Sequence, residues 1–561
     1  MASPIFDLCD EYVTRAALLD PVWATMRGIG GSVGAATDFG PEGVAARAEL
    51  IGEMLRRLAR LEPSTEEDRA AADFLGDRLG AERDWYDSGE PLRLVRAPFG
   101  PIGTIRDSVD LLPRDSEEAW RAVTARLSAV PVMLASWRAA LAVGLQRGLV
   151  GARRQAVESA AQADRYVGLD DAPPTHDAVV EAYGEGPLRA ELAGAARAAH
   201  AAYAETARHL REEYAPRATE ADGVGAERHA LARRLVLGAD IDPIEAYDWG
   251  WAELRRIEEE VAAEADRVRP DASLAEAVAV LDETEYVEGA DAYREWLQEQ
   301  HDRAIEQLHG VHFDIAAPLR RVEVTLAVGS SAGSAYYTPP SEDFTRPGRT
   351  WWPLGGRDRF AVWSELTTVF HEGVPGHHLQ LGQARVVGER LSRFSRVSGV
   401  SGHAEGWALY AERLADDLGW FVTPGQRLGM LKGSALRAAR VVIDIGLHLD
   451  LPLPAVEAER HGPRWTFEVA TDVLRERGHI ADHRLHPEVV RYCGWPAQAT
   501  AYKLGERVWL AARDEARQRA GAAFDLKRWH TRALSLGPVG LGRLAETLRS
   551  AQREDRSLRG P

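Results

Sequence analysis

Phe370-His371-Glu372-Gly373-Val374-Pro375-Gly376-His377-His378-Leu379-Gln380 holds three imidazoles and one carboxylate within eight consecutive residues. Apolar Leu366, Val369 and Phe370 lead into the stretch, and Leu379 and Leu381 follow it. A solvated charge run has no such apolar flanks. Divalent zinc takes neutral imidazole nitrogens and carboxylate oxygens, so the stretch reads as a buried metal site.

The spacing is unusual. In a regular zinc helix two His four residues apart share one face, and the Glu beside the first polarises a water on the metal. Position 375, four after His371, is Pro. It cannot ligate, and inside a helix it would clash with the carbonyl of residue 371. The second ligand is therefore His377 or His378. In an unbroken helix, residue 378 lies two turns from 371 on nearly the same face. Gly373, Pro375 and Gly376 argue against an unbroken helix. If Gly373-Val374-Pro375 bulges out, His377 takes the second position. Spacing alone leaves both open. A third ligand is expected from Gly402-His403-Ala404-Glu405-Gly406-Trp407-Ala408-Leu409-Tyr410-Ala411-Glu412. Glu405 and Glu412 are seven apart and share a helical face, and Trp407, Leu409 and Leu414 imply burial, where a carboxylate needs a charged partner. Glu405 is the expected ligand. Glu412 is expected to support a ligand or to pair with Arg413 or Arg437, and His403 ranks below both.

Outward from this centre the chain reads as helix after helix. Leu50, Ile51, Met54, Leu55, Leu58 and Leu61 recur at three and four, one buried helical face. Ser64 and Glu67 form a plausible capping box, Ser116 starts another helix that Pro131 should kink or split, and Asp242-Pro243 is a helix start with Asp as cap. The texture changes near residue 318. Residues 321–328 alternate and are β-branched, which predicts a strand. Residues 329–349 read as a loop, in which Tyr336-Tyr337-Thr338-Pro339-Pro340 forms either a cleft wall or a rigid turn. A second short strand is expected within 351–363. Helices resume from Ser364. Two parts are expected: a helical half over 1–317 forming one wall of a cleft, and a catalytic half over 318–561.

At 561 residues the chain is long enough for a large core. The net charge of −18 argues against a nucleic-acid surface. Basic residues are nearly all Arg, with Lys only at 432, 503 and 527. Two cysteines, Cys9 and Cys493, make no disulfide framework and fit a reducing compartment. No basic start with an apolar core opens the sequence, and no run of about 18 apolar residues occurs. A cytoplasmic protein without membrane or nucleic-acid partners is expected; the sequence leaves oligomeric state open.

His371-Glu372-x-x-Pro375-Gly376-His377-His378 together with Glu405-Gly406-Trp407-Ala408-Leu409-Tyr410-Ala411-Glu412 resembles the bacterial "domain of unknown function 885" family. That family is grouped with gluzincin-type zinc metallopeptidases, near the thimet oligopeptidase-like and Thermus-type carboxypeptidase enzymes. Arg440 to His448 and Trp495 to Gly505 extend the resemblance over nearly the whole chain. It implies a mainly α fold with a deep cleft and a small β-sheet beside the zinc-binding helix. It also favours His371, His377 and Glu405 as ligands of Zn2+, with His378 as the runner-up. One departure is that Ala497 and Thr500 stand in a segment that in the family more often reads Pro-Gly-Gln-Ala-x-Ser-Tyr, which leaves the shape of that loop open but not Tyr502 itself. The implied activity is hydrolysis of a peptide or other amide bond in a short peptide or small amide substrate. Glu372 would be the general base, and Tyr502 the donor to the oxyanion unless it is a packing tyrosine. Lys503 and His448 are lesser candidates. Alternatives are a zinc-dependent hydrolase of a non-peptide amide metabolite, and a non-catalytic binding protein on the same fold.

Overall fold

The computed structural model describes residues 3–30, 34–169, 173–327, 334–341 and 344–557. The protein is 71% helical with two small sheets, a mainly α fold. Helix starts follow side-chain chemistry. Ser116 caps Glu117–Gln146 by accepting from the Ala119 N–H at 3.1 Å, and Asp242 caps Pro243–Val268 by accepting from Ile244 at 2.9 Å. Two expectations shift. The cap of Glu66–Asp87 is Thr65, which accepts from Asp68, while Ser64 bonds the Asp68 carboxylate, so no Ser64–Glu67 box forms. Pro131 lies inside the unbroken helix Glu117–Gln146. Val130, Met133, Leu134 and Trp137 on both sides of it are buried, and that packing outweighs the one backbone bond proline removes. This helix is long and apolar enough to cross a membrane by length and composition alone, yet it is a core element here.

Apolar side chains gather in three clusters. One surrounds Glu117–Gln146 and Arg189–His209. A second joins the first helices to Phe394 and Val397. The largest runs mainly from Val236 to Leu548 and contains the helix Pro424–Leu449, whose residues from Ala438 to His448 are buried throughout.

Strand β1 (Tyr286–Glu288) pairs antiparallel with β5 (Arg359–Ala361). In the other sheet β2 (Val322–Ala327) lies parallel to β4 (Gly348–Pro353), and β4 lies antiparallel to β3 (Tyr336–Thr338), in the order β2-β4-β3. The expected strand over 321–328 is β2, with Val328 outside the described residues. The expected loop contains β3 and the start of β4, and its residues 329–333, 342 and 343 lie outside the described residues. The region 351–363 holds the end of β4 and all of β5. Strand β5 feeds directly into the helix Val362–Glu372, so the sheets stand beside the His371 stretch.

Candidate metal centre

The helix Val362–Glu372 stops at Gly373, whose N–H still donates to the Val369 carbonyl at 2.9 Å. The chain then turns back on itself: the Gly376 N–H donates to the Phe370 carbonyl at 3.0 Å, and a new helix, His377–Val387, begins. The turn is tight enough to require glycine. A Cβ on Gly376 would lie 2.0 Å from the His371 carbonyl oxygen. The Trp407 indole donates to the Pro375 carbonyl at 2.8 Å and ties the turn to the neighbouring helix Ser401–Asp417. The bulge expected from Gly373, Pro375 and Gly376 is present, and it swings His377 toward His371.

His371, His377 and Glu405 each offer a ligand atom within 4.8 Å of the other two. Glu405 Oε2 stands 3.4 Å from His371 Nε2 and 3.5 Å from His377 Nε2. The two imidazole planes cross at 85°, their centres 4.8 Å apart. Among the described residues, Glu405 Oε2 has no hydrogen-bond partner although it is buried. An orphaned buried carboxylate oxygen facing two imidazoles is the arrangement a cation would complete. Glu412 accepts from His371 Nδ1 at 2.8 Å and also holds the Thr367 hydroxyl, with Arg437 3.6 Å away. Nδ1 thus carries the proton and Nε2 is left to face Glu405, the tautomer a metal ligand needs. Burial pulls the His371 pKa down, but the carboxylates of Glu405 and Glu412 overcome it and lift it to about 10. Burial would push Glu405 up, but His371 and His377 hold it well below the carboxylate range. The cluster therefore demands a positive charge between its carboxylates, as a proton or as a metal, and the residues fit zinc.

His378 points elsewhere. Its Nε2 lies 2.9 Å from the Leu319 carbonyl, which can only accept, so Nδ1 accepts from the Tyr337 hydroxyl at 3.0 Å. Both nitrogens are used, and Tyr337 of β3 is tied to the His377–Val387 helix. His403 is buried among Gln380 and Trp509, outside the cluster. His448 bonds the backbone of Tyr492 and Val224. Lys503 is buried between Glu506 and Glu253, at 3.0 Å from the latter, and bridges two helices.

Glu372 is buried beside the cluster, and burial raises its pKa above the usual carboxylate value against the pull of His371 and His377. Tyr502 is half-buried at the start of the helix Ala501–Ala520. Its pKa is raised by burial and then by the charge of Glu405. Its hydroxyl is 3.5 Å from Gln498 Nε2, and the Arg440 guanidinium lies 5.1 Å from its ring centre. A close helix crossing brings the Tyr502 and Glu405 helices together: a Cβ on Gly505 would lie 2.2 Å from the Gly402 carbonyl oxygen. The loop before Tyr502 keeps a left-handed residue at Ala497, with φ 66°. The buried Asp444 carboxylate accepts the Ala497 N–H at 3.1 Å and holds it there. Sequence reasoning missed Thr367, whose signal was its position one turn before His371, and the pairing of Tyr337 with His378, which had none.

No curated protein is detectably similar in sequence. Several solved chains share the fold. The "putative lipoprotein" of Colwellia psychrerythraea matches with a TM-score of 0.83 at 21% identity, covering 99% of this chain and 100% of that one. The "putative lipoprotein of unknown function" of Shewanella oneidensis matches with a TM-score of 0.73 at 17% identity, covering 98% and 100%. A family match spans residues 21–548, so nearly the entire helical body belongs to one recognised sequence type. The chain is a member of the bacterial protein family of unknown function designated DUF885.

Proposed function

We propose that this protein is a zinc-dependent hydrolase of peptide or related amide bonds. The observation that carries the reading is the convergence of His371, His377 and Glu405 with Glu372 next to the first of them. His371, His377 and Glu405 would hold the ion, the number of protein ligands that leaves a catalytic zinc one open position. When bound, zinc supplies a Lewis acid that polarises a carbonyl and acidifies water.

The other steps belong to the chain's own groups. Glu372 takes a proton from the attacking water and passes it to the leaving amine. Its raised pKa suits both halves of that transfer, because a base nearer neutrality also returns its proton readily. Tyr502 donates its phenolic hydrogen to the developing oxyanion, and its raised pKa keeps that hydrogen in place at neutral pH. Glu412 and Thr367 fix the His371 ring. The substrate class is a short peptide or a small amide.

Elemental analysis of the purified chain beside His371→Ala and Glu405→Ala tests the site. About one zinc per chain, lost in both variants, is expected. A wild type that takes up no metal after incubation with zinc would sink the reading. A peptide-library digest with mass-spectrometric readout then tests the bond. Cleavage by wild type and not by Glu372→Gln supports peptide hydrolysis. A metal-loaded protein that cuts no peptide moves the reading to non-peptide amides.

A further inference from the structure

A phenolic oxygen both donates and accepts, so the polar neighbour it meets decides where its hydrogen points. The neighbour of Tyr502 is Gln498, one turn before it, whose Nε2 lies 3.5 Å from the hydroxyl. Gln498 opens the short turn Gln498–Thr500, directly after the left-handed Ala497 that Asp444 holds. Its side chain is buried, so both ends of the amide need partners. Arg491 serves the other end: its guanidinium donates to Gln498 Oε1. An arginine can only donate, so Oε1 must face Arg491 and the amide NH2 must face Tyr502. Flipping the amide would set donor against donor.

Arg491 is itself fixed. Its Nη2 donates to Glu488 Oε2 at 2.9 Å, and Arg440 Nη2 donates to the same oxygen at 2.8 Å. The Tyr492 hydroxyl accepts from Arg440 Nε at 3.0 Å and donates to that oxygen as well. Burial would raise the Glu488 pKa, but Arg440 and Arg491 hold it well below the carboxylate range. Arg440 also packs against the Tyr502 ring, 5.1 Å from its centre. The result is a directed chain from Glu488 through Arg491 and Gln498 to Tyr502, each member imposing the polarity of the next. At its end Gln498 donates and the Tyr502 oxygen accepts. Among the described residues no other side chain bonds the Tyr502 hydroxyl, so its hydrogen stays uncommitted, on a phenol that feels the charge of Glu405.

We propose, on the hydrolase reading of the metal centre, that Gln498 is a positioning residue: by donating to the Tyr502 oxygen it turns the phenolic hydrogen toward a substrate oxyanion at that centre. A hydrogen already aimed costs no reorganisation when charge develops, which is where such donors gain their effect.

Gln498→Glu tests this, because a carboxylate keeps the shape and the bond to Arg491 but presents an acceptor to Tyr502, which must then turn its hydrogen away from the centre. In zinc-free chain isotopically labelled at the tyrosine Cζ, the NMR resonance of Tyr502, identified by its loss in Tyr502→Phe, should move downfield in Gln498→Glu. A resonance that stays in place would overturn the proposal, and this readout needs neither metal nor turnover. On a peptide that the wild type cleaves, Gln498→Glu should lower kcat by about 10²-fold, close to the loss in Tyr502→Phe, with KM and zinc content unchanged. Gln498→Met, which removes the donor without adding a charge, should lower kcat by about tenfold. Neither should lower kcat further in the Tyr502→Phe background, since both act through the missing hydroxyl. Full additivity with Tyr502→Phe, or loss of zinc from both Gln498 variants, would overturn the positioning role. A zinc-loaded wild type without amide turnover would instead sink the hydrolase reading, and the Cζ shift would still decide where the hydrogen points.

Discussion

Glu412 illustrates how much one side chain decides. It holds His371 by Nδ1 and so aims Nε2 at Glu405. Removing it in Glu412→Ala should lower zinc affinity by roughly 10- to 100-fold without removing a ligand, measured by competition with a chromophoric chelator. Unchanged affinity would reduce Glu412 to a packing role. The two adjacent histidines separate cleanly. His377→Ala should abolish tight zinc binding, whereas His378→Ala should keep one zinc per chain, because both His378 nitrogens are committed to Tyr337 and Leu319. Glu372→Gln should keep its zinc and lose on the order of 10²- to 10⁴-fold in turnover on any peptide the wild type cleaves. His371, Glu372 and Glu405 were legible as chemistry-bearing residues because ligand types and helical spacing are local properties. The choice between His377 and His378 was not, because it turns on how the backbone leaves Gly373.

Elements meet here through close backbone approaches. Gly376 sits where a Cβ would strike the His371 carbonyl, so Gly376→Ala should open the turn and lose the metal while most helical circular dichroism remains. Ala497 makes the opposite case. Its left-handed φ of 66° strains any residue with a Cβ, and Ala497→Gly should raise unfolding stability by up to about 1 kcal/mol, read from urea melts. A fall in stability would mean that the methyl group's packing outweighs the strain. Helix starts at Ser116 and Asp242 were readable because a cap needs only its own side chain and the next turn. Helix continuity through Pro131 was not, because it depends on buried neighbours from other elements.

Over the whole molecule, several histidines are buried without compensating acids. Burial lowers His176, His301 and His530 to about 3. In the unfolded chain each returns to about 6.5, so below that pH the unfolded state binds more protons. They cost nothing above pH 6.5, and as pH falls from there toward 3 they destabilise the fold by up to about 1.4 kcal/mol per pH unit for each group. Urea midpoints in chelator should therefore drop between pH 7 and pH 5. A constant midpoint would mean that these rings stay wetted.

The sequence by itself determined the mainly α class, a strand over 321–328 that the structure shows at Val322–Ala327, and the motifs of the family, since each follows from residue type and short-range periodicity. Tertiary structure alone decided that His377 faces His371, that Glu412 orients the His371 ring, and that Lys503 is a buried bridge. Those outcomes depend on where distant segments come to lie, and burial changes what a polar group needs far more than its neighbours in the chain do.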